Sequence, residues 1–545
     1  MSNLSRRGFV GVAGFGVASL ALGNVLSACT KSSTSGTSIN NQNRSKTEVV
    51  IAMNTGSEPA AGFNPLIAWG CGEHVHEPLI QSTLIKTNER MEFENDLTTS
   101  YALSDDGMTW TFNMRNDVTF TDGKPLTAKD AAFTINGIIN SEAAQADLSM
   151  VKKAETPDDF TLVLNMAKPF NALLYTLAVI GIVPAHAYDA NYGSNPVGSG
   201  RYMLDSWNKG QQVVLKANPD YYGTPPELER VVIVFMEEDA ALAAVRVGQV
   251  DIAYTSAIFG TQSINGYELF TCKTVDSRGI TLPVVASESK KDEKGVNYVC
   301  GNDVTSDVAV RRAINLAVDR ESMIENVLNG HGAPAFSVSD NMPWASKDMV
   351  VKTDQAAAKT LLEEAGWLVG ADGIRHKNDL RAAFVLRYPA NDSVRQSLAS
   401  EFANQMKEIG IEVKVEGGSW DDLYKHAYAD PILWGWGSNS PIELYELNYS
   451  SGWGNYASYH DPQTDTYLDQ ALAVTTVEES YALWQKAQWD GSGGFAPQGA
   501  ASWVWLANVD HLYFKRNGLD VANQKLHPHG HGWSLVNNLD AWKWK

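Results

Sequence analysis

The chain has 545 residues, of which 43 are lysine or arginine and 63 are aspartate or glutamate, so its formal net charge is −20. This acidic balance argues against nucleic acid as a partner and against electrostatic attraction to anionic lipid. The length exceeds what one hydrophobic core needs, so two or three domains are expected. The 16 tryptophans and 20 tyrosines suit stacking on a small polar ligand, although core packing alone could account for them.

The N-terminal residues resemble a bacterial export signal that ends in a lipid-attachment site. Arg6 and Arg7 precede an apolar, glycine-broken stretch from 10 to 25, as in twin-arginine signals. Residues 26–29, Leu-Ser-Ala-Cys, resemble a lipobox in which Cys29 becomes the lipidated first residue. A membrane anchor or a buried helix is the alternative, but about 16 apolar-biased residues make a poor membrane span.

The expected N-terminal organisation is a signal peptide over residues 1–28, followed by a lipidated flexible tether over 29–46. The tether is rich in serine, threonine and asparagine and has almost no apolar residue. Two acyl chains on Cys29 would hold the folded part at a membrane surface outside the cytoplasm.

Hydrophobic periodicity beyond the tether predicts a mixed α/β chain without internal repeats. A buried strand is predicted at 47–53, and two antiparallel strands are predicted within 109–120 around a turn at Arg115. Thr127, with Asp130 three residues later, predicts the capped start of a helix. Apolar residues spaced three and four apart predict further helices at 308–318, 321–328, 354–365 and 393–409. A strand is predicted at 411–415, directly after the last of these helices.

The cysteines leave the question of disulfides open. With Cys29 assigned to lipid, three cysteines remain, so at least one of them cannot pair internally. Cys272 and Cys300 could form a disulfide while Cys71 stays free. Because the sequence has no Cys-x-x-Cys pair, a thiol-redox motif and a zinc knuckle are not expected.

Six sequence blocks, in order, resemble the extracellular solute-binding proteins of the peptide/nickel ABC importer family (family 5, the oligopeptide-, dipeptide- and nickel-binding proteins). They include Thr-Asp-Gly-Lys-Pro-Leu-Thr-Ala-Lys-Asp at 121–130 and Pro-Val-Gly-Ser-Gly-Arg-Tyr at 196–202. The six blocks lie at 103–112, 115–130, 196–202, 218–222, 240–251 and 310–320. The resemblance covers roughly residues 46 to 520.

The resemblance implies an α/β, two-lobed periplasmic-binding-protein fold of type II, in the large cluster that carries an extra small domain. Two crossing segments form the hinge, and the ligand is trapped where the lobes close. The discontinuous lobe I is expected at 47–78, 197–286 and 499–545, the small domain at 79–196, and lobe II at 287–498.

A tryptophan-rich segment at 433–444 corresponds to the loop that lines the cleft in this family. The resemblance implies that the ligand contacts come from Trp434, Trp436, Asn439, Ser440 and Glu443. In peptide binders an aspartate beside the proline grips the ammonium group of the ligand, but this chain has Ser440 there. Glu443, one turn away, is the expected substitute. Packing of lobe II is the alternative role for the tryptophans.

Two arginines and one histidine are further candidates for ligand contacts. Arg201 stands where the family usually has proline, and Arg387 lies in a vicinity where family members use arginine for carboxylate ligands. Either guanidinium could bind a ligand carboxylate through paired hydrogen bonds, or it could pair with an acidic residue of the surface. His76 is expected to contact the ligand rather than a metal.

Alternating histidines near the C-terminus form a candidate metal site. His527, His529 and His531 would share one face of an extended strand, and imidazole suits nickel, copper and zinc. The alternative is a polar loop in which the histidines hydrogen-bond to backbone carbonyls.

The predicted function is that of a lipid-anchored binding protein, which captures short peptides and delivers them to the permease subunits of an ABC importer. It is expected to act as a monomer, to need no cofactor and to bind no nucleic acid. Nickel or another metal, free or chelated, is the alternative cargo, and a surface adhesin or receptor is a further alternative. Catalysis is not expected, because His76-Glu77 lacks the second histidine of His-Glu-x-x-His and no Gly-x-Ser-x-Gly motif occurs.

Overall fold

A computed structural model describes the chain at residues 45–67, 70–71, 74–291, 295–529 and 532–545. Ser45–Lys545 forms one compact unit. The export signal, the lipobox with Cys29, most of the tether and His531 lie outside the described residues. Within the described part, no helix combines the length and the apolar character that crossing a membrane requires.

Strands and helices alternate along the described chain. The first elements are β1 (Glu48–Met53), β2 (Gly70–Cys71), β3 (His74–Val75), β4 (Ile85–Thr87), β5 (Phe93–Asn95), β6 (Thr98–Leu103), β7 (Thr109–Met114), α1 (Ala128–Ile139), β8 (Val151–Asp158), β9 (Thr161–Met166) and α2 (Leu173–Leu177). Next come β10 (Tyr202–Asn208), β11 (Gln212–Ala217), β12 (Arg230–Phe235), α3 (Glu238–Arg246), β13 (Ile252–Thr255), α4 (Ala257–Gly260) and β14 (Tyr267–Cys272).

The second half of the chain is richer in helices. Its elements are β15 (Ser277–Thr281), β16 (Glu288–Lys291), β17 (Asn297–Cys300), α5 (Val308–Ala317), α6 (Arg320–Leu328), β18 (Gly332–Pro334), α7 (Gln355–Glu364), β19 (Leu368–Val369), β20 (Arg375–Lys377), β21 (Leu380–Arg381), β22 (Ala383–Pro389), α8 (Ser393–Glu408), β23 (Glu412–Gly418), α9 (Trp420–His426), β24 (Leu433–Trp436), α10 (Ile442–Asn448), α11 (Pro462–Ala473) and α12 (Val477–Gln488). The chain ends with β25 (Trp503–Val509), β26 (His511–Arg516), β27 (Leu519–Asp520) and β28 (Lys543–Trp544).

The largest sheet has seven strands in the order β10-β11-β12-β1-β13-β26-β14. β1 runs parallel to β12 and β13, whereas β26 is antiparallel to both of its neighbours. Val49 and Ile51 belong to one buried cluster and Ala52 to another, on the opposite face. Because both faces are covered, the strand predicted at 47–53 is a continuous apolar run, and β1 confirms it.

A four-stranded antiparallel sheet, in the order β6-β7-β9-β8, packs against α1. α1 begins as predicted: the backbone N–H of Thr127 donates to the Asp130 carboxylate at 2.9 Å. The second strand predicted within 109–120 does not form, because β7 pairs with β6 and β9 instead. The apolar alternation after the turn at Arg115 reflects burial in the same core rather than strand pairing.

The second large sheet has four strands in the order β18-β25-β15-β24, and its residues share one buried cluster with those of the predicted helices. α5, α6, α7 and α8 agree with the predicted segments to within one residue at each end. The predicted strand at 411–415 forms β23, which pairs in parallel with β22. The helical spacing of the apolar residues was therefore sufficient to place these elements.

Two adjacent segments carry the chain between the two large sheets. β14 and β15 lie in different sheets and are separated by residues 273–276, while Asp510 alone separates β25 from β26. Lys273 Nζ lies 2.8 Å from Asp510 Oδ2, and the Thr274 hydroxyl donates to the Val509 carbonyl at 2.7 Å. The crossing segments therefore contact each other as they pass between the sheets.

The structure answers the disulfide question for two of the cysteines. Cys272, at the end of β14, and Cys300, at the end of β17, are both buried free thiols. Burial raises the pKa of the Cys272 thiol to about 12. The Cys272 thiol therefore stays protonated at neutral pH.

Candidate functional site

A fully buried carboxylate, Asp276, lies where the chain crosses between the two large sheets. It accepts from Arg278 Nη2 at 3.2 Å, and His511 Nε2 lies 3.1 Å from it. His529 Nδ1 and Arg278 Nη1 contact its other oxygen. Arg278 lies on β15 and His511 on β26, so Asp276 links groups that belong to both sheets.

The partners of Asp276 keep it ionised. Burial, the largest single effect, would raise the pKa of this carboxyl group, and the charge of Arg278 is the largest effect that opposes it. Interactions with His529 and His511 act in the same direction, so the pKa lies well below its usual value. Asp276 therefore carries a negative charge at neutral pH.

Three nitrogen-rich side chains converge on Gly435 in β24. A Cβ at this position would overlap Arg395 Nη2 and lie 2.6 Å from His529 Cε1, so the absence of a side chain at Gly435 leaves room for these groups beside Arg278. Arg395 lies in the first turn of α8 and donates to Asp392 at 2.6 Å. Both guanidinium groups are buried, and burial together with the nearby charge of Arg278 lowers the pKa of Arg395 to about 10.

Each of these two arginines retains a donor without a partner. Among the described residues, neither the Nε–H of Arg278 nor that of Arg395 has a hydrogen-bond acceptor. A buried N–H without an acceptor is costly, so groups of this kind are normally paired. The two donors are therefore suited to an acceptor that comes from a ligand.

Glu443 of the predicted cleft loop is also buried, but it is neutral. Burial raises the pKa of this carboxyl group well above its usual value, and the charges of Glu446 and Asp276 raise it further. The N–H of Gly437 opposes this effect without reversing it. At neutral pH the group is protonated, so it does not offer the negative charge that an ammonium clamp needs.

The two predicted tryptophans have different environments. Trp434 stacks on Tyr456, with 4.6 Å between ring centroids, and its indole N–H donates to Thr281 at 3.1 Å. Trp436 is buried too, but its indole N–H has no acceptor within the described chain. The ring of Trp453, which is 44 % exposed, has its centroid 5.6 Å from that of Trp436. Both indoles thus pack in the core, and they differ in that only the N–H of Trp434 has an acceptor among the described residues.

The other predicted residues of this loop serve its local structure. The Asn439 amide donates to the Leu526 carbonyl at 3.2 Å, and its side-chain oxygen has no donor among the described residues. Ser440 Oγ accepts from the N–H of Ile442 at 3.3 Å, at the start of α10.

The structure places Arg201 and Arg387 in ion pairs with residues of the chain itself. Arg201 lies 2.7 Å from Asp540. Arg387 lies 2.6 Å from Asp430 and 3.1 Å from Glu416. Their predicted role in binding a ligand carboxylate stays a prediction, and in this structure both charges are compensated.

The described C-terminal histidines join the hydrogen-bond network of Asp276. His527 Nδ1 lies 3.1 Å from His511 Nδ1, and His527 Nε2 lies 3.1 Å from Gln524 Oε1. Burial lowers the pKa of His527 well below its usual value, so the ring is neutral. His76 is buried, with Nδ1 3.4 Å from Ser534 Oγ.

The described part of the chain contains no group of three or more His, Cys, Asp or Glu arranged to hold a metal ion. His529 contacts Asp276 directly, whereas His527 contacts His511, which in turn contacts Asp276. Because His531 lies outside the described residues, the predicted three-histidine site stays a prediction.

Sequence reasoning missed Asp276, Arg278 and Arg395. A signal was available for the first two, because Asp-Ser-Arg interrupts an otherwise apolar run at 275–285, and charged residues are rarely buried without partners. Arg395 gave no signal, since an arginine in the first turns of a helix is usually solvated.

Comparisons with known proteins agree on the family. The profile of the bacterial extracellular solute-binding proteins, family 5 Middle, matches residues 92–458. Protein XP55 of Streptomyces lividans is 31% identical over 500 residues, which cover 87% of this chain and 86% of that protein. The oligopeptide-binding protein AppA of Bacillus subtilis is 26% identical over 441 residues, which cover 76% of this chain and 79% of that protein.

A solved structure supports the fold. NikZ of Campylobacter jejuni in complex with Ni(L-His) superposes with a TM-score of 0.74 at 24% identity. The superposition covers 92% of this chain and 100% of that one. The chain therefore has the two-lobed α/β fold of a type II periplasmic binding protein.

Proposed function

This chain belongs to the bacterial extracellular solute-binding proteins of family 5, the binding proteins of ABC importers for peptides or nickel, and we propose that its own cargo is a short peptide. Proteins of this family bind their substrate for transport and do not convert it. They work on the outer side of the cytoplasmic membrane. The peptide would be held between the lobes and passed to the permease when the lobes open.

The two buried arginines beside Gly435 carry this proposal. Arg278 and Arg395 each keep one N–H donor without an acceptor in the described chain. A carboxylate accepts from a guanidinium in charge-assisted hydrogen bonds, which are stronger than neutral ones. The free C-terminal carboxylate of a peptide has this chemistry, so the pair would bind that end of the ligand.

Further groups near the arginines suit the peptide backbone. The Trp436 indole offers a donor and Asn439 an acceptor oxygen, neither of which has a partner in the described part of the chain. The exposed ring of Trp453 would contact peptide side chains. Because Glu443 is neutral, the carboxylate end would orient the ligand, and the ammonium end would not.

A chelated metal is the second candidate cargo. His529 converges on Gly435 together with the two arginines, so an imidazole lies beside the groups that would hold a carboxylate. A metal ion chelated by a carboxylate-bearing compound could use both kinds of side chain. The Ni(L-His) complex of the Campylobacter jejuni protein gives this candidate its precedent.

The domain boundaries predicted from the family belong to the same proposal. Lobe I would comprise 47–78, 197–286 and 499–545, the small domain 79–196, and lobe II 287–498. The crossing at 273–276 lies within 197–286 and Asp510 lies within 499–545, so these boundaries would give β15 and β25 to lobe I, although both strands share a sheet with β18 and β24.

Native mass spectrometry of the mature domain, purified without chelator, tests the cargo. We expect a ladder of masses that match short peptides, with no stoichiometric metal in the same sample. One nickel, copper or zinc per chain would transfer the assignment to metal uptake. Neither a peptide nor a metal would contradict both candidates.

Calorimetric titration tests the role of the arginines with a recovered peptide, synthesised as the free acid and as the C-terminal amide. Arg395→Gln should weaken binding of the free acid by tenfold or more, since a charge-assisted bond of about 1.5–3 kcal/mol is lost. The amide should bind weakly to both proteins. Arg230→Gln, a substitution of an exposed arginine paired with Glu48, is the matched control. Equal binding of acid and amide would contradict the proposal.

The lipid anchor is proposed on the lipobox alone. Cys29→Ala should release the processed protein from the membrane fraction of the producing cells, because the acyl chains are the expected attachment. A Cys29→Ala protein that stays membrane-bound after signal processing would contradict the anchor and leave the cargo proposal untouched.

A further inference from the structure

A cavity of about 520 Å³ lies between the small antiparallel sheet and the start of α12, where the ligand cleft residues described above play no part. One wall comes from β5, β6, β7 and α2, and the other from residues 475–478. The volume is within the range of small-molecule sites in proteins. The cavity therefore has the size of a binding site and is built from two segments far apart in sequence.

The two walls are held together by one buried side chain. The Asn171 amide donates to the carbonyls of Ala471 and Val474 at 2.8 and 3.0 Å, and its backbone N–H donates to Leu472 at 3.0 Å. Asn171 is 2 % exposed. This contact fixes the turn between α11 and α12 against the small sheet, so the cavity has defined walls.

The lining combines aromatic rings with negative charge. The rings belong to Phe93, Tyr101 and Trp110, and the charged side chains are Asp105 on one wall and Glu478 on the other. Among the residues that the structure describes, no lysine, arginine or histidine lines the cavity. The pKa of Tyr101 is raised by burial and by the charge of Glu478, which places that charge close to the ring.

Both carboxylates are available to a ligand. Neither Asp105 nor Glu478 forms an ion pair or a side-chain hydrogen bond within the described residues, and both are exposed. The acidic residues next to them in sequence do have partners. Asp106 accepts a hydrogen bond from Ser104 at 2.6 Å, and Glu479 forms a capping box with Thr476 at the start of α12. Two exposed carboxylates from separate segments, in a lining that also contains aromatic rings, suit an elongated cation.

We propose that this cavity is a second ligand site, which binds a small organic cation with ammonium or guanidinium groups on an apolar carbon chain. The cationic ends lie at Asp105 and Glu478, and the carbon chain lies against Tyr101 and Trp110. Attraction between cations and aromatic faces adds to the ion pairs. The site is independent of the importer cargo, because the residues around Gly435 do not line it.

Agmatine is the probe that tests this site, because it has a guanidinium at one end and an ammonium at the other. Isothermal titration of the soluble mature domain should show saturable binding that weakens with salt. 1,4-Butanediol, a short uncharged chain, is the matched control ligand and should not bind. Absence of saturable agmatine binding would overturn the proposal.

Variants separate this site from the cleft. Glu478→Gln should weaken agmatine binding by about tenfold, and Asp105→Asn combined with Glu478→Gln should abolish it, since each removes a charge-assisted contact. Both residues are exposed, so folding should not be affected. Glu142→Gln, with the same change of charge at an exposed position elsewhere on the small domain, should bind as the parent does. Agmatine binding that persists in the double variant would place the ligand elsewhere and overturn the assignment.

Discussion

Asp276 and Glu443 are both buried carboxyl groups near the crossing between the lobes, yet their charge states are opposite. Asp276 has an arginine and two histidines around it, and its pKa lies well below the usual value. Glu443 has one backbone N–H and two acidic neighbours, and its pKa lies well above. Burial is common to both, so the partners decide whether a buried carboxyl group is charged.

The largest expected effect comes from removing the charge of Asp276. Asp276→Asn leaves the buried Arg278 without its counterion, and loss of one partner of a buried pair typically costs about 3–5 kcal/mol. Scanning calorimetry should show a marked decrease in the unfolding temperature. A decrease no larger than that of Asp105→Asn, an exposed site, would show that the pair is not needed.

A double substitution sharpens this result. Asp276→Asn with Arg278→Met removes both charges, and replacing a buried ion pair by apolar groups is often neutral or stabilising. The double variant should therefore recover at least about half of the stability that Asp276→Asn loses. Equal losses in the single and double variants would mean that Asp276 stabilises the fold through the histidines.

A third carboxyl group, Asp340, should behave as an intermediate case. Burial raises its pKa to about 6, while the N–H of Phe336 and the amide of Asn508 act in the opposite direction. A raised pKa means that the folded protein loses stability as pH rises from about 4 to about 6. Asp340→Asn lacks this loss, so its stability relative to the parent should improve by about 1–2 kcal/mol across that range. Parallel stability–pH curves for the two proteins would contradict the raised pKa.

The smallest expected effect is that of Glu443→Gln, because the amide resembles the protonated carboxyl group. Near pH 5 the free energy of unfolding should change by less than about 1 kcal/mol. With rising pH the variant should gain relative to the parent, because the unfolded parent releases the proton of Glu443 while burial favours its retention in the folded parent. Asp276→Asn should show the opposite trend, with its deficit narrowing below pH about 4, where Asp276 takes up a proton in the unfolded parent but stays ionised in the folded one. Denaturant titrations between pH 4 and 8 measure the first trend, and a series down to pH 3 measures the second.

The sequence allowed the elements to be predicted far better than the site. α5 and α8 followed from local apolar spacing, and the ordered blocks indicated the family before any contact was known. The grouping of Arg278, Arg395 and His529 around Gly435 depends on strand order and on the path of the C-terminus. Contacts between residues so far apart in sequence leave no local pattern, which also explains why Arg201 and Arg387 looked equally suitable.

The passage from β25 to β26 through Asp510 alone has a mechanical consequence. A connection this short has almost no slack, and the neighbouring segment is bonded to it on both sides of the boundary. So short a connection limits how far the two large sheets can separate, so we expect any movement of one relative to the other to be a rotation about the crossing rather than a translation.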